Sequence, residues 1–224
     1  MKFNRVIFFI YRWIVAPIFR LFYCQKVSGL KNIPKTGSYI LAPNHSNKFD
    51  PEILESFTIQ HLNRKFFYLA RSHPTWSIFG RKASRYAFGV IVYHRKTTRQ
   101  EAFKEAYDIL EQGVNGSGKG ETLVVFPEGN ARKSPDLQIG KTGVVRLAIW
   151  FQVPIIPVGI ISSKKMLPAN KQKSYRGIEL KFGKPIHYNR YHHDALTKDL
   201  LHKLTDDLMK KIAKLTGQRY NIKR

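Results

Sequence analysis

The chain has 224 residues, 43% of them hydrophobic, enough to bury one sizeable core. Its single cysteine excludes a disulfide framework and points to one reduced, intracellular domain. Lysine and arginine number 39 against 15 acidic residues, a net charge of +24 that draws the protein to something anionic, nucleic acid or lipid, between which charge alone does not choose.

The N-terminus chooses. From Val6 to Tyr23 nearly every residue is apolar or aromatic, with Arg12 and Arg20 as interruptions. Neither uninterrupted run approaches the ~20 residues of a spanning helix. At about 100° per residue Arg5, Arg12 and Arg20 fall at about 0°, −20° and 60°, a narrow basic stripe on a greasy cylinder, with Lys2 in the same arc. This predicts an amphipathic membrane-binding helix over residues 1–25, arginines toward headgroups and Phe, Ile and Trp among acyl tails, kinked at Pro17. The competing reading is a helix packed into the protein's own core. A signal peptide is disfavoured by Arg12 and by the lack of a small-residue cleavage site. The anionic partner is then a membrane surface, held further by Lys26, Lys31, Lys35, Arg64, Lys65, Arg71, Arg81, Lys82 and Arg85 where enough of them share a face. Cys24 reads as incidental.

Residues 26–224 form the second unit. Ser38 to Ala42 reads as a short buried strand that Pro43 ends, since proline has no ladder donor. Asp50-Pro51-Glu52 is a helix start, with Asp as cap and Pro at the first helical position. His45 and Asp50 therefore share one strand-to-helix loop, which is able to fold the carboxylate back onto the ring. An Asp accepting from one ring nitrogen fixes the tautomer and leaves the other free to take a proton.

Phe66 to Ala70 is a strand, and Pro74 to Tyr86 an apolar helix belonging to the core or an acyl channel. Gly89 to Arg95 is a strand with an arginine at its end. Thr98 to Gln112 is a helix with Ala102, Phe103, Ala106, Ile109 and Leu110 on one face, ended by Gly113. Gly113 to Gly120 mimics a phosphate-binding P-loop, but Gly120 occupies the Ser/Thr position and the segment runs helix to strand, so it is a connection. Thr122 to Phe126 is a strand running into Pro127, Glu128 and Gly129. A helix over Lys141 to Phe151 precedes a strand from Val153 to Gly159, and Gly177 to Pro185 is another strand. His192-His193-Asp194 is a surface turn capping the last helix, not a metal site, because adjacent histidines point apart. That helix, Ala195 to Leu215, spaces Leu200, Leu201, Leu204, Leu208, Ile212 and Leu215 for docking. Alternating helices and strands give an α/β sandwich with a mostly parallel sheet flanked by helices, its chemistry on carboxyl-edge loops.

Four blocks, His45 to Asp50, the arginine strand, Phe126-Pro127-Glu128-Gly129 and Val153-Pro154-Ile155-Ile156-Pro157, together resemble the glycerolipid acyltransferase family. The nearest branch is the bacterial 1-acylglycerol-3-phosphate acyltransferases, and the resemblance runs from about Val27 to about Gly183. It implies transfer of a fatty acyl chain from acyl-CoA or acyl-carrier protein to lysophosphatidic acid, giving phosphatidic acid, on the cytoplasmic face of the cell membrane, with no cofactor or metal. It further implies that His45 deprotonates the acceptor hydroxyl, Asp50 orients it and Arg95 holds the acceptor phosphate. Glu128 and Gly129 would line the acceptor site and Pro157 the wall near the acyl donor. Oxyanion donors are expected among backbone amides of the 44–50 loop or after the 122–126 strand.

The chain departs from the family where Thr-Arg-Ser usually follows Phe-Pro-Glu-Gly: Asn130-Ala131-Arg132-Lys133-Ser134 displaces the second arginine by one position. Arg132 reaches the phosphate if the loop bulges, Lys133 replaces it as a point charge, or the acceptor is another lysophospholipid or glycerol 3-phosphate. Two rivals stand outside this reading. A basic nucleic-acid-binding protein would bind duplexes with a steep salt dependence. A hydrolase sharing the His and Asp lacks a Gly-x-Ser-x-Gly elbow.

Overall fold

The computed structural model describes residues 9–46, 50–62, 64, 66–71, 90–93, 99–115, 120–131, 135–162, 177–191 and 196–222. Among them, seven strands form one sheet: β1 (Cys24–Ser28), β2 (Tyr39–Pro43), β3 (Phe66–Arg71), β4 (Val90–Tyr93), β5 (Thr122–Val124), β6 (Ile155–Ser162) and β7 (Ile178–Phe182). Their order is β1-β7-β6-β2-β5-β3-β4, and every neighbouring pair is parallel except β6 with β7. The expected α/β architecture with a mostly parallel sheet is therefore present.

Alternation along β2 decides which helices sit where. Ile40 and Ala42 point to one face, joining Ala106 and Leu110 of α3 (Arg99–Asn115), Val145 and Ala148 of α4 (Gly143–Phe151) and Leu204 and Leu208 of α5 (Lys198–Thr216). Tyr39 and Leu41 point to the other, against Ile53, Leu54 and Phe57 of α2 (Asp50–Leu62). Two glycines allow close approach on the first face. A Cβ on Gly143 would lie 2.6 Å from the Phe103 ring of α3, and one on Gly159 would lie 3.0 Å from Leu215 of α5.

Pro157 stands in the middle of β6, where a strand normally needs its N–H. Its neighbour strand is irregular there: Ile155 bridges Ile186 while Val158 pairs with Phe182, so one extra residue lies on the partner side. Gly183 donates to the Pro157 carbonyl at 2.9 Å, and the missing donor falls at this bulge.

The N-terminal segment has three features of its own. A π-helical turn, Tyr11–Val15, leads into α1 (Ala16–Tyr23); Pro17 has no N–H for the preceding turn, which widens just before it. The helix stops at Tyr23 and Cys24 opens β1, so Cys24 is a sheet residue. Lastly, Ala16 is fully buried, and Arg20, one turn on, lays its guanidinium 5.8 Å from the Phe57 ring of α2. Arg20 thus touches the protein's own helix while remaining exposed. Phe9, Trp13, Ile14, Ile18, Leu21 and Phe22 are exposed. Among the described residues no helix is long and apolar enough to cross a membrane.

Two further expectations are corrected. Gly113 does not end α3, which runs on to Asn115. The cap of α5 is Thr197, whose Oγ1 accepts from the Leu200 amide at 3.2 Å, and His192 to Asp194 lie outside the described residues. Arg64 donates to the carbonyls of Lys35 at 2.7 Å and Gly37 at 2.8 Å. Pro74 to Tyr86 also lie outside the described residues.

Candidate active site

The site lies at the carboxyl ends of β2 and β5, adjacent parallel strands in register from Tyr39 opposite Thr122 to Leu41 opposite Val124. Beyond Pro43, Asn44 continues the ladder by another means. Its side chain is fully buried, accepts from the Ile160 amide at 2.6 Å and donates to the Ile160 carbonyl at 3.0 Å. A side-chain amide here does what a backbone peptide does in a strand, and it fixes where the next residue begins.

That next residue is His45. Its Nδ1 lies 2.9 Å from Asp50 Oδ2, and the same oxygen accepts the Ser46 amide at 2.7 Å. Asp50 is buried in the first turn of α2, whose positive end favours its charge. A carboxylate accepting at Nδ1 places the proton there and leaves the Nε2 lone pair as the basic position. The ring packs on Phe126, with centroids 4.2 Å apart and planes inclined by 32°. Packing and hydrogen bond together fix the orientation of the imidazole.

Glu128 is buried and binds two loops at once: Oε1 accepts the His45 amide at 2.8 Å and Oε2 the Gln138 amide at 2.9 Å. Gly129 follows with φ 78, closing a turn onto the Phe126 carbonyl at 3.0 Å. A side chain there would strain the backbone and collide with the Lys141 ammonium, which crosses the glycine. Lys141 also donates its amide to the Pro127 carbonyl at 2.8 Å. Sequence reasoning passed over this cation because no spacing rule links it to the turn.

Glu52 adds a second acid to the first turn of α2. Burial pushes its carboxyl up to about 7 from an ordinary 4.5; a backbone hydrogen bond opposes it, the Asp50 charge adds a lesser upward push, and His45 opposes more weakly still.

The structure therefore brings together His45, Asp50, Glu128 and Gly129. Pro157 lies on β6 opposite Ala42, in the strand beside the one that carries the loop. Arg95, Arg132 and Lys133 lie outside the described residues. Among the described residues, four of the amides in the stretches expected to hold an oxyanion are engaged: His45 with Glu128, Ser46 with Asp50, Gly129 with the Phe126 carbonyl, and Asn44 with the Val158 carbonyl at 3.3 Å.

A family model described as Acyltransferase matches residues 24–161, well over half the chain and every block just described. The chain belongs to the acyltransferase family. This acyltransferase is 26% identical over 144 residues to a 1-acyl-sn-glycerol-3-phosphate acyltransferase of Borreliella burgdorferi, covering 64% of the chain and 54% of the relative. It is 22% identical over 191 residues to the chloroplastic 1-acyl-sn-glycerol-3-phosphate acyltransferase LPAT1 of Arabidopsis thaliana, covering 84% of the chain and 50% of the relative. The acyltransferase spans about half the length of the curated relatives it matches. Its fold is that of PlsC, the 1-acyl-sn-glycerophosphate acyltransferase of Thermotoga maritima, with a TM-score of 0.62 at 19% identity over 92% of this chain and 82% of that one.

Proposed function

We propose that the protein transfers a fatty acyl chain from acyl-CoA or acyl-carrier protein to the sn-2 hydroxyl of lysophosphatidic acid, forming phosphatidic acid. The observation that carries this reading is the His45–Asp50 pair, with Nδ1 engaged at 2.9 Å and Nε2 left as the base. The names of the relatives support the choice of acceptor. His45 Nε2 takes the hydroxyl proton as the oxygen attacks the thioester carbon. The tetrahedral intermediate collapses with loss of the carbon–sulfur bond, and the imidazolium returns the proton to the departing thiolate. Such acid–base help is worth roughly a hundred- to ten-thousand-fold in rate. The thioester is already activated, so no protein nucleophile is needed.

In this reading Asp50 orients the base, Glu128 holds the His45 backbone, and the acceptor phosphate meets Arg95, with Arg132, Lys133 or Lys141 as a second cation. Pro157 shapes the wall near the acyl donor. The displaced Arg132 supports a second reading, the same chemistry on glycerol 3-phosphate or a different lysophospholipid. The exposed apolar side chains of residues 9–22 support docking on a membrane from the cytoplasmic side as a peripheral or monotopic protein. The +24 charge favours an anionic surface.

The test is thiol release from a long-chain acyl-CoA by detergent-purified protein, with and without lysophosphatidate, for wild type, His45→Ala and Asp50→Asn. Release requiring acceptor and His45 is expected, with Asp50→Asn slowed about a hundredfold or more. Release indifferent to acceptor would make the protein a thioesterase. Silence with both donor types across an acceptor panel would overturn the reading.

A further inference from the structure

The segment after α5 returns to the active site. Gly217, with φ 72, ends the helix by donating to the Ala213 carbonyl at 2.8 Å, and the next three residues lie along 135–138. Leu137 donates its amide to the Arg219 carbonyl at 2.9 Å and forms a parallel bridge with Tyr220. Arg219 Nε meets Asp136 Oδ1 at 3.2 Å, and Tyr220 Oη donates to Asp206 Oδ1 at 2.6 Å, which ties the segment back to α5.

Gln218 joins two parts of the site that nothing in the sequence links. Its Nε2 donates to the Pro135 carbonyl at 3.1 Å, just past Arg132 and Lys133 in the chain. Its Oε1 accepts from Asn44 Nδ2 at 3.4 Å, beside the base. A second route runs through the same loop: Gln138 donates to Glu128, which holds the His45 amide. We propose that Gln218 is a positioning residue for acyl transfer, coupling the end of the acceptor-side loop at Pro135 to Asn44 and so setting the distance between acceptor and base. This rests on the proposed reading of the site.

A purely structural part is unnecessary for Gln218. The Leu137–Arg219 bond is backbone to backbone, and α5 is capped by Gly217, so both persist without the amide side chain. Its removal acts on geometry at the acceptor, where small misplacement is costly.

The experiment compares wild type, Gln218→Met and Gln218→Glu. Methionine keeps the length and loses both bonds; glutamate still accepts from Asn44 but presents no donor to Pro135. For Gln218→Met, the acceptor kcat/KM should fall about tenfold, carried by KM, with the acyl-CoA KM and melting temperature unchanged. His45 ring resonances, assigned by difference from His45→Ala, should shift. Gln218→Glu should raise the acceptor KM while leaving those resonances near wild type. Unchanged acceptor KM and unchanged His45 resonances in Gln218→Met would overturn the proposal, as would a loss of melting temperature with all kinetic constants falling together. If wild type transfers no acyl group, the proposed function fails by itself, and the His45 resonances alone then decide the part played by Gln218.

Discussion

Glu128 accepts the backbone amide of His45 at 2.8 Å across 83 positions of sequence. Its other oxygen holds the Gln138 amide at 2.9 Å, so a single buried carboxylate joins the loop after β2 to the segment beyond the Phe-Pro-Glu-Gly turn. Two amide donors converge on a group that only accepts. Glu128→Gln turns an NH₂ toward one of them and leaves a buried amide unmet, at a cost of about 1–3 kcal/mol. We expect kcat to fall roughly ten- to a hundredfold with little change in acceptor KM, because the base is displaced while the acceptor's partners remain. Steady-state kinetics with varied acceptor check this. A loss confined to acceptor KM would make Glu128 a direct acceptor contact.

Local patterns carried the parts of this molecule that sequence displays. The apolar run from Tyr39 to Ala42, the proline after it and the Asp-Pro-Glu helix start lie within fourteen residues and set the His45–Asp50 loop directly. The amphipathic face of α5 was equally plain, since burial of Leu201, Leu204, Leu208 and Ile212 follows helical spacing. What was hidden depends on partners far along the chain. β1 is a short segment whose ladder exists only because β7 lies beside it. The amides of His45 and Ser46 look free in a sequence and are engaged by carboxylates in the fold. Arg20 of the basic stripe lies over Phe57, a ring that periodicity within the helix cannot reveal.

Asn44 tests the side-chain continuation of β2. Both ends of its amide bind Ile160, at 2.6 and 3.0 Å, in a fully buried position. Asn44→Leu strands both Ile160 groups without partners and should cost about 2–4 kcal/mol, lowering the melting temperature by roughly 5–12 °C. Asn44→Asp keeps the acceptor and presents a second oxygen to the Ile160 carbonyl. Only the protonated acid is able to donate there, so its melting temperature should recover as pH is lowered. Thermal melts at acid and neutral pH separate the two variants.

Glu52 gives stability a pH dependence of fixed sign. Burial first, and the Asp50 charge after it, raise its carboxyl to about 7 in the folded protein from 4.5. The folded state therefore binds the proton more tightly than the unfolded chain. Below about pH 4.5 both states are protonated and no penalty exists; as pH rises the unfolded state ionises first and stability falls, levelling off above about pH 7. Because Glu52 is half-buried, solvent screening brings the penalty to the order of 1 kcal/mol. Glu52→Gln should match wild type near pH 4 and exceed it increasingly to about pH 8. Melting curves across that range measure the difference, and a gap that stays constant with pH would refute the assignment.

The outer surface of α1 yields the last prediction. Leu21 is 80% exposed, and Trp13 is exposed on the π-helical turn before α1. Water should not leave large apolar groups clustered there unless something else covers them. If a bilayer does, Leu21→Glu removes a side chain worth about 1.5–3 kcal/mol on burial and adds a charge that resists entry, weakening partition onto vesicles by roughly tenfold or more. Val114→Glu is the control, an exposed apolar residue at the end of α3, on the sheet face opposite α1 and α2. Cosedimentation with anionic and zwitterionic vesicles should rank wild type and Val114→Glu together and above Leu21→Glu. Preference for anionic vesicles should weaken as salt is raised, because the cations act through a screened field. Equal partition of all three proteins would remove α1 from the membrane contact and leave its apolar surface to another partner.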